Sequence, residues 1–322
     1  MTDPNISSRP LLPVVAGPTA SGKSACAVAL CRLIGGEVVS ADSMQVYRGM
    51  ELLSAVPDGV ERGGIPHHLL AFVSPDTRYT ADAYRADARA CIAGIRARGR
   101  MPVLCGGTGL YINAVTRPMS FSEQSDPVMH EELMAMGVTP EGRRALHAQL
   151  EKVDPESATR LHENDVRRVA RAIEIFRLTG ITQSEQIRRD KARPGEYHEI
   201  IFAPDWPREI LYRRIDQRVD AMVSRGLVEE VRALMADPQG HPTAMQAIGY
   251  KEIATALLGE MPMEKAIEWM KRATRNFAKR QLTWFRHDNR VIWLPAEGRT
   301  ADDLAEEMRD RLAALSYSNH QI

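Results

Sequence analysis

The residues that most clearly could bind a ligand or take part in a reaction form the loop GPTASGKS at residues 17–24. Gly17, Gly22, Lys23 and Ser24 fit the pattern G-x-x-x-x-G-K-[ST], and the loop stands between an apolar run and a helical pattern, as the motif requires. Glycines let successive N–H groups turn toward one anion, and the following helix adds its positive dipole end. The lysine adds a mobile charge, and the serine hydroxyl is placed to hold a magnesium ion bridging phosphate oxygens. The loop therefore predicts a diphosphate or triphosphate site, the alternative being an ordinary glycine-rich turn.

Four further polar side chains are candidates for the same site. Asp42 follows the predicted strand at 36–41, at the sheet end where ligands bind in parallel α/β proteins. A hydrolytic nucleotide-binding protein would carry a carboxylate after a nearby strand, but a glycine-rich loop with Thr108 follows instead, which favours transfer to an acceptor. The carboxylate equally suits a helix or turn cap, and the threonine a turn. Arg214 and Arg218 stand one helical turn apart, and taken alone such arginines are more typical of a solvated helix face.

A second anion-binding surface is indicated near the C-terminus, where cations and aromatic rings alternate along a helical pattern. Its members are Arg275, Lys279, Arg280, Arg286, Phe277, Trp284 and Phe285. Cations contact phosphates and exposed rings stack on unpaired bases, so the segment is typical of a nucleic-acid face. The same spacing also suits rings packed into the core of an amphipathic helix, and both arrangements can hold on different faces.

Positioning these side chains requires a sheet with flanking helices. Apolar strand candidates lie at 11–16, 36–41, 101–105, 199–204 and 291–295. Helical patterns lie at 23–33, 80–98, 207–236 and 264–287. The alternation predicts an α/β fold, a P-loop NTPase-like core in which helices flank a parallel sheet. Pro13 lacks an N–H group, so the first strand is expected to pair fully only from Val14.

The alternation stops between about Arg117 and Glu196, where helical segments are separated by prolines and glycines. We therefore predict that residues 1–118 and 197–322 form the catalytic core, and that residues 119–196 form an inserted all-helical domain.

One helix of the predicted insertion is well defined. Its apolar residues recur at helical spacing from Val166 to Phe176, Asn164 or Asp165 can cap its start, and Gly180 follows its end. Its other face carries Arg167, Arg168 and Arg171.

Charge argues against a generally basic nucleic-acid binder, because 42 basic residues face 42 acidic ones. The distribution is uneven, however: residues 163–193 hold eight bases and five acids, and residues 269–290 hold seven bases and one acid. Two basic patches on a neutral protein indicate a polyanion that contacts part of the surface.

Cysteine spacing and hydropathy exclude other classes. The four cysteines, Cys26, Cys31, Cys91 and Cys105, form no C-x-x-C pair and have no histidine partners at ligand spacing, so we expect buried thiols rather than a zinc site or disulfides. No signal-peptide pattern is present, and no apolar run approaches the roughly 20 residues that cross a bilayer. A cytoplasmic enzyme is expected.

Seven stretches together resemble the tRNA dimethylallyltransferase family, also called tRNA isopentenyltransferase. They are GPTASGKS (17–24), ADSMQVYRGM (41–50), PHHLL (66–70), PVLCGGTGLYINA (102–114), HENDVRRVARAIEIF (162–176), MQAIGYKEI (245–253) and TRNFAKRQLTWFR (274–286). They follow one another in order over nearly the whole chain, and GGTGLY and KRQLTWFR belong to few other P-loop families.

The resemblance implies a P-loop core whose helical insertion grips a tRNA anticodon stem-loop. The implied reaction moves a dimethylallyl group from dimethylallyl diphosphate to the exocyclic N6 amine of the adenosine at tRNA position 37, beside the anticodon on its 3′ side, and releases diphosphate. The loop at 17–24 would then hold the diphosphate of a prenyl donor. The motif would share its structure with ATP-binding and other nucleotide-binding loops, but ATP would not be a substrate.

The resemblance also implies roles for individual residues. Asp42 would orient the amine and accept its proton, Thr108 would donate to a diphosphate oxygen, and Arg218 would stabilise charge on the leaving group. The target base would flip out of its stack, at a cost of a few kcal/mol. The implied diphosphate-binding residues are Gly17, Pro18, Thr19, Ala20, Ser21, Gly22, Lys23 and Ser24, the last also holding Mg²⁺. The implied tRNA-binding residues are Asp42, Ser43, Met44, Gln45, Arg167, Arg168, Val169, Ala170, Arg171, Lys279, Arg280, Trp284 and Arg286.

The chain departs from the family in one loop. After ADSMQVYRGM the family usually has Asp-Ile-Gly-Thr-Ala-Lys-Pro, whereas residues 51–57 here read ELLSAVP, so a glycine and a lysine close to the phosphates are missing. Ala71 likewise stands where the family usually has aspartate after PHHLL. The part that this loop plays in substrate binding is therefore not predicted.

Two other functions fit the phosphate loop. A small-molecule kinase would use it with ATP, and an RNA-binding protein would keep it as a vestige. ATP turnover separates the first from a prenyltransferase, and alkylation of bound tRNA separates the second. We expect a monomeric transferase with Mg²⁺ as cofactor, tRNA and dimethylallyl diphosphate as partners, and no membrane association.

Overall fold

The computed structural model describes residues 9–120, 126–237 and 244–318. The chain forms two compact units, Met1–Thr116 with Tyr197–Ile322, and Arg117–Glu196. The predicted insertion at 119–196 lies within the second unit.

Strands and helices alternate through the first unit. The strands are β1 Leu11–Ala16, β2 Gly36–Ser40, β3 His67–His68, β4 Met101–Gly106, β5 His198–Asp205 and β6 Val291–Pro295. The helices of the whole chain are α1 Lys23–Ile34, α2 Gly59–Arg62, α3 Ala81–Ala97, α4 Gly109–Thr116, α5 Pro127–Met136, α6 Pro140–Val153, α7 Pro155–Arg160, α8 Val166–Thr179, α9 Gln183–Ala192, α10 Arg208–Ser224, α11 Leu227–Ala236, α12 Tyr250–Leu257, α13 Met263–Arg286 and α14 Ala301–Ser318.

The six strands form a parallel sheet in the order β3-β2-β4-β1-β5-β6, which confirms the predicted α/β architecture. β3 was not predicted, because a strand of two residues carries no periodic signal. β1 pairs with β5 from Leu11 but with β4 only from Val14, so the effect expected of Pro13 is confirmed.

Helices cover both faces of this sheet. Leu12 and Val14 of β1 belong to an apolar cluster with Ile92 of α3. Val15, which points the other way, belongs to a second cluster with Leu30 of α1. Burial on both faces explains why the strands read as continuous apolar runs rather than as an alternating pattern.

The carboxyl ends of three neighbouring strands lead into the candidate functional motifs. β2, β4 and β1 lie side by side, and they continue into residues 41–43, 107–108 and 17–24, respectively. Loops that leave adjacent parallel strands at the same end of a sheet meet there, so the fold brings these motifs together.

A third apolar cluster joins α10, α11, α12 and α13, with Val219, Val231, Ile253 and Met270 as buried members. The single helical pattern predicted at 207–236 forms two helices in the structure, α10 and α11. The chain breaks at Gly226, whose φ of 100° is left-handed and ends the periodicity of α10 before α11 begins.

The second unit contains α5–α9, and its described residues form no strand. Its core includes Leu146, Leu150, Val169 and Ile173. Gly180 follows the end of α8, as predicted, and its backbone is left-handed. Asp165 holds the N-cap position of α8, but its side chain makes no capping bond and pairs with Arg168 instead.

The four cysteines are free thiols, as expected, and three of them are buried. Burial raises the pKa of Cys105, near the carboxyl end of β4, to about 11, so this thiol is neutral. None of the helices in the described part of the chain is both long and apolar enough to span a bilayer.

Substituting Gly106 with alanine should destabilise the first unit, because a Cβ at this position would overlap the backbone of Ala41 and force the ends of β2 and β4 apart. We expect the free energy of unfolding in urea to fall by about 2–3 kcal/mol. Gly59→Ala is the matched control, since an added Cβ there meets no atom within 4 Å. It should change the unfolding free energy by less than about 0.5 kcal/mol. Equal effects of the two substitutions would contradict the packing argument.

Candidate active site

The phosphate loop, residues 17–24, adopts the backbone that an anion site requires. Gly17, Ala20 and Gly22 have positive φ angles of 141°, 61° and 87°. Gly22 is the N-cap of α1 and offers no side-chain cap, so the N–H groups of the first helical turn are open to a ligand. An anion at this position would meet both these donors and the positive end of the helix dipole.

Three cations surround this loop. Lys23 donates to the carbonyl of Pro18 at 3.3 Å, and burial lowers the pKa of its amine, with Asp42 acting in the opposite direction. Burial also lowers the pKa of the Arg218 guanidinium. Arg214 donates to the carbonyl of Ala20 at 2.9 Å. Burial removes water from these cations, and the nearby carboxylate does not fully neutralise them. They therefore favour binding of a polyanion.

The position of Arg214 is fixed by an aromatic residue. Its guanidinium lies over the ring of Trp206, 4.4 Å from the ring centroid. The indole N–H of Trp206 in turn donates to the carbonyl of Ser21 at 2.8 Å. No role was predicted for Arg214, because Ala20 lies far from it in the sequence.

These groups line a cavity of about 480 Å³, which we call the phosphate cavity. Lys23, Ser24, Arg214, Arg218 and Arg225 all line it. The hydroxyl of Ser24 therefore stands where a bound diphosphate would lie. This suits Mg²⁺, whose other ligands would be phosphate oxygens and water. Within the described residues, no cluster of three or more His, Cys, Asp or Glu side chains could hold a metal ion.

A second cavity, of about 270 Å³, adjoins the first, and we call it the acceptor cavity. Lys23, Ala55, Arg218 and Met222 line both cavities. Asp42 lines only the acceptor cavity of the two. Much of the remaining lining is apolar and comes from Leu53, Ile215, Val219, Met270 and Phe277. The acceptor cavity thus combines cations, an apolar region and the carboxylate of Asp42.

Asp42 stabilises a turn through one carboxylate oxygen and leaves the other oxygen available to a ligand. Its Oδ1 accepts the N–H groups of Met44 at 3.0 Å and Gln45 at 3.4 Å, so the turn-cap interpretation is correct. Its Oδ2 has no hydrogen bond to another described residue. One oxygen therefore fixes the carboxylate while the other remains available to a ligand.

Thr108 holds this turn through Ser43. Its Oγ1 accepts the N–H of Ser43 at 3.0 Å and donates to the Ser43 hydroxyl at 3.3 Å. The hydrogen bond to a diphosphate oxygen that the family pattern implies for Thr108 stays a prediction. In the described structure, the threonine positions the residue next to Asp42.

The divergent loop at residues 51–57 is anchored by Glu230 of α11. Its carboxylate accepts the N–H groups of Leu52 at 2.8 Å and Leu53 at 2.7 Å. The carbonyl of Ala55 accepts from Gln45 at 3.0 Å and from Arg218 at 3.3 Å. The loop thus contacts the site through its backbone.

Two side chains of this loop replace the usual family residues. Val56, at the position of the usual lysine, lines the phosphate cavity. Leu53, at the position of the usual glycine, is 5% exposed and packs in the cluster of α10–α13.

α13 resolves the two interpretations of the aromatic segment. Phe285 is buried in the core under the sheet, whereas Trp284 is 40% exposed. Phe277 and Arg280 line the acceptor cavity, and the guanidinium lies 5.6 Å from the ring centroid. Lys279 is exposed. Both arrangements therefore occur, on different faces of one helix.

Two other cations of this segment are paired. Arg286 is exposed and forms a 3.4 Å ion pair with Asp205. Arg275 forms an ion pair with Asp216 at 2.5 Å. Both contacts reduce the charge that these arginines offer to an external anion.

In the second unit, two residues of the predicted RNA-binding range 167–171 are buried. Val169 and Ala170 have 0% exposure and lie in the core of that unit, so their side chains are not available to RNA. A continuous range on a helix necessarily includes inward-facing positions. Arg167 and Arg168 are exposed, and Arg171 pairs with the buried Glu174 at 3.0 Å.

Comparisons with known proteins identify relatives over most of the chain. The family model described as IPP transferase matches residues 45–288. The tRNA dimethylallyltransferase of Carboxydothermus hydrogenoformans is 41% identical over 92% of this chain and 95% of its own length. That of Geobacter metallireducens is 45% identical over 89% of this chain and 93% of its own length.

Solved structures give the same result. A tRNA isopentenylpyrophosphate transferase from Bacillus halodurans is 38% identical, with a TM-score of 0.72 over 97% of this chain and 98% of that one. A eukaryotic dimethylallyltransferase described as acting on tRNA is 28% identical, with a TM-score of 0.81 over 97% of this chain and 80% of that one.

The lowered pKa of Lys23 predicts a pH-dependent affinity for inorganic diphosphate. As pH rises from about 7 to about 10, the amine loses its proton sooner than an ordinary lysine, whereas a Lys23→Arg variant keeps its charge. The ratio of dissociation constants, wild type over Lys23→Arg, should therefore increase with pH in isothermal titration calorimetry. Ionisation of diphosphate itself affects both proteins and cancels in the ratio. A ratio independent of pH would contradict the charge assigned to Lys23.

Proposed function

Because the chain belongs to the tRNA dimethylallyltransferase family, we propose that it transfers the dimethylallyl group of dimethylallyl diphosphate to the N6 amine of adenosine 37 in tRNA. The two adjoining cavities carry this proposal. One presents cations and open helix N–H groups to a diphosphate, the other presents a carboxylate to an amine, and both are lined by Lys23 and Arg218. An allylic carbon between them would have its leaving group on one side and its nucleophile on the other.

On the donor side, the bond between the allylic carbon and the diphosphate oxygen breaks, and its electron pair stays with the diphosphate. Lys23, Arg214 and Arg218 stabilise the charge that accumulates on this leaving group, together with the N–H groups of the first turn of α1. Ser24 would hold Mg²⁺, which when bound neutralises part of the diphosphate charge. Since the cations already surround the cavity, little reorganisation is needed as charge develops.

On the acceptor side, the N6 nitrogen forms a bond to the allylic carbon and loses one proton. Asp42 accepts this proton through Oδ2, while Oδ1 stays bonded to the N–H groups of Met44 and Gln45. The fixed oxygen orients the carboxylate, so the second oxygen needs no rearrangement before the reaction.

The RNA would approach along the exposed face of α13. Lys279 and Arg280 offer charge to phosphates, and Trp284 offers an exposed ring. Phe277, which lines the acceptor cavity, can stack on a flipped base. In the helical unit, Arg167 and Arg168 are the exposed candidates for phosphate contacts. Magnesium use, a monomeric state and cytoplasmic localisation stay predictions.

An assay with unmodified tRNA tests this function. Purified protein should incorporate label from dimethylallyl diphosphate into tRNA and release diphosphate. Label from the γ-phosphate of ATP should not enter an acceptor. A phosphorylated acceptor would support a small-molecule kinase, and tRNA binding without alkylation would support the RNA-binding alternative.

Asp42→Asn should lower the single-turnover transfer rate by about 10²–10⁴-fold, because asparagine keeps an oxygen for the turn but cannot accept the amine proton. The dissociation constant for tRNA should change by less than about threefold. Asp82→Asn, which alters a half-exposed carboxylate paired with Arg85, is the control and should leave the rate unchanged. Loss of tRNA affinity equal to the loss of rate would exclude Asp42 as the base.

Arg280→Ala and Arg167→Ala should each weaken tRNA binding and reduce the slope of log K against log salt by about one unit per lost phosphate contact. Arg309→Ala is the control, because this arginine of α14 is exposed and paired with Asp310. Fluorescence anisotropy over a salt series measures the slope. A substitution that leaves the slope equal to that of the wild type removes its arginine from the RNA face.

A further inference from the structure

Gln281 of α13 connects two loops of the site from within the protein. It is 5% exposed, whereas its neighbour Arg280 is exposed. Its Oε1 accepts the N–H of Thr19 in the phosphate loop at 2.9 Å. Its Nε2 donates to the carbonyl of Gly107, just after β4, at 2.9 Å. One side chain therefore spans the ends of two adjacent strands.

The partners determine the orientation of the amide. The N–H of Thr19 can only donate and the carbonyl of Gly107 can only accept, so the amide of Gln281 satisfies both groups in one orientation alone. Among the common side chains of this shape and size, glutamate lacks a hydrogen-bond donor when it is ionised. Methionine has neither a donor nor a strong acceptor. The chemistry of the position thus requires a neutral amide.

Glycines permit the close approach of this helix. A Cβ at Gly107 would overlap Nε2 of Gln281, and a Cβ at Gly109 would overlap the indole of Trp284, three residues further along α13. The glycines of the GGTG sequence therefore make room for α13 as well as for a turn.

The contacts of Gln281 continue to the reacting carboxylate. Gly107 precedes Thr108, whose hydroxyl accepts the N–H of Ser43 at 3.0 Å, and Ser43 follows Asp42. A short series of bonds thus joins the diphosphate side to the acceptor side through α13. The same helix carries Arg280 and Trp284 on its outer face.

We propose that Gln281 is a positioning residue that sets the separation between the diphosphate loop and the turn of Asp42, so that donor and acceptor meet at reacting distance. This role rests on the proposed function. It predicts that Gln281 affects the rate of transfer much more than the affinity for either substrate alone, because a small misplacement of reacting groups is costly to the rate.

Two variants test this role. Gln281→Met keeps the length of the side chain and removes both hydrogen bonds, and Gln281→Glu keeps an acceptor for Thr19 but removes the donor to Gly107 when ionised. Both should lower the single-turnover rate per diphosphate-binding site by at least about tenfold, with dissociation constants for tRNA and for inorganic diphosphate within about threefold of the wild type. Thr283→Val is the control, since this residue of α13 is exposed and its hydroxyl donates to the carbonyl of Lys279 in the same helix.

The Gln281→Glu variant adds a readout that a purely structural role would not give. Protonation of the introduced carboxyl at lower pH restores a donor to Gly107, so its rate relative to the wild type should recover as pH falls. If Gln281→Met does not fold, this profile and the rates of Gln281→Glu decide the question. A rate within twofold of the wild type, or a lowered unfolding midpoint with an unchanged rate per site, would overturn the proposal.

A double-mutant cycle with Thr108→Val tests the connection itself. If Gln281 acts through Gly107 and Thr108, the double variant should lose little more rate than the more impaired single variant. Fully additive losses would overturn this connection. Absence of transfer by the wild-type protein, in contrast, would contradict the proposed function rather than the position of Gln281.

Discussion

The site depends on one constraint, the close packing of three chain segments at the carboxyl ends of β1, β4 and β2. Adjacent parallel strands end side by side, and the loops that follow them have little space. Gly106 lies against the backbone of Ala41, and Gly107 lies against Gln281. Any side chain larger than hydrogen at these glycines would separate the loops. The phosphate loop and the turn of Asp42 can share one site because this packing is preserved.

The electrostatic arrangement follows from this packing. Lys23 and Arg218 are held where burial lowers their pKa, and the charge of Asp42 partly opposes that effect in both. A diphosphate would supply the remaining negative charge, so binding of the donor and neutralisation of the cations are one event. When the carbon–oxygen bond breaks, the leaving group becomes more negative at a position already surrounded by donors. In the proposed reaction, the same residues would thus favour both binding of the donor and cleavage of its carbon–oxygen bond.

The sequence predicted what is locally encoded. The phosphate loop is a contiguous motif, and the five longer strands are apolar runs, so both were found at nearly their observed bounds. Long-range contacts were not predictable in this way. Gln281 forms hydrogen bonds with Thr19 and Gly107, which lie 262 and 174 positions away in the sequence, and no local pattern distinguishes it. Val169 and Ala170 were assigned to RNA binding because a linear range ignores the direction of helical side chains, and the break at Gly226 depends on backbone conformation.

The loop at 51–57 shows how a family pattern can change while the site persists. Leu53 fills an apolar cluster that a glycine would leave open, and the carboxylate of Glu230 binds the backbone beside it. The carbonyl of Ala55 still accepts from Arg218 and Gln45, and backbone groups are present whatever the side chain. Val56 offers no charge to the phosphate cavity, but Arg214 and Arg218 of α10 line the same space, whereas Arg225 is paired with Asp58. The charge needed for a diphosphate can thus come from α10, so the loop need not supply it.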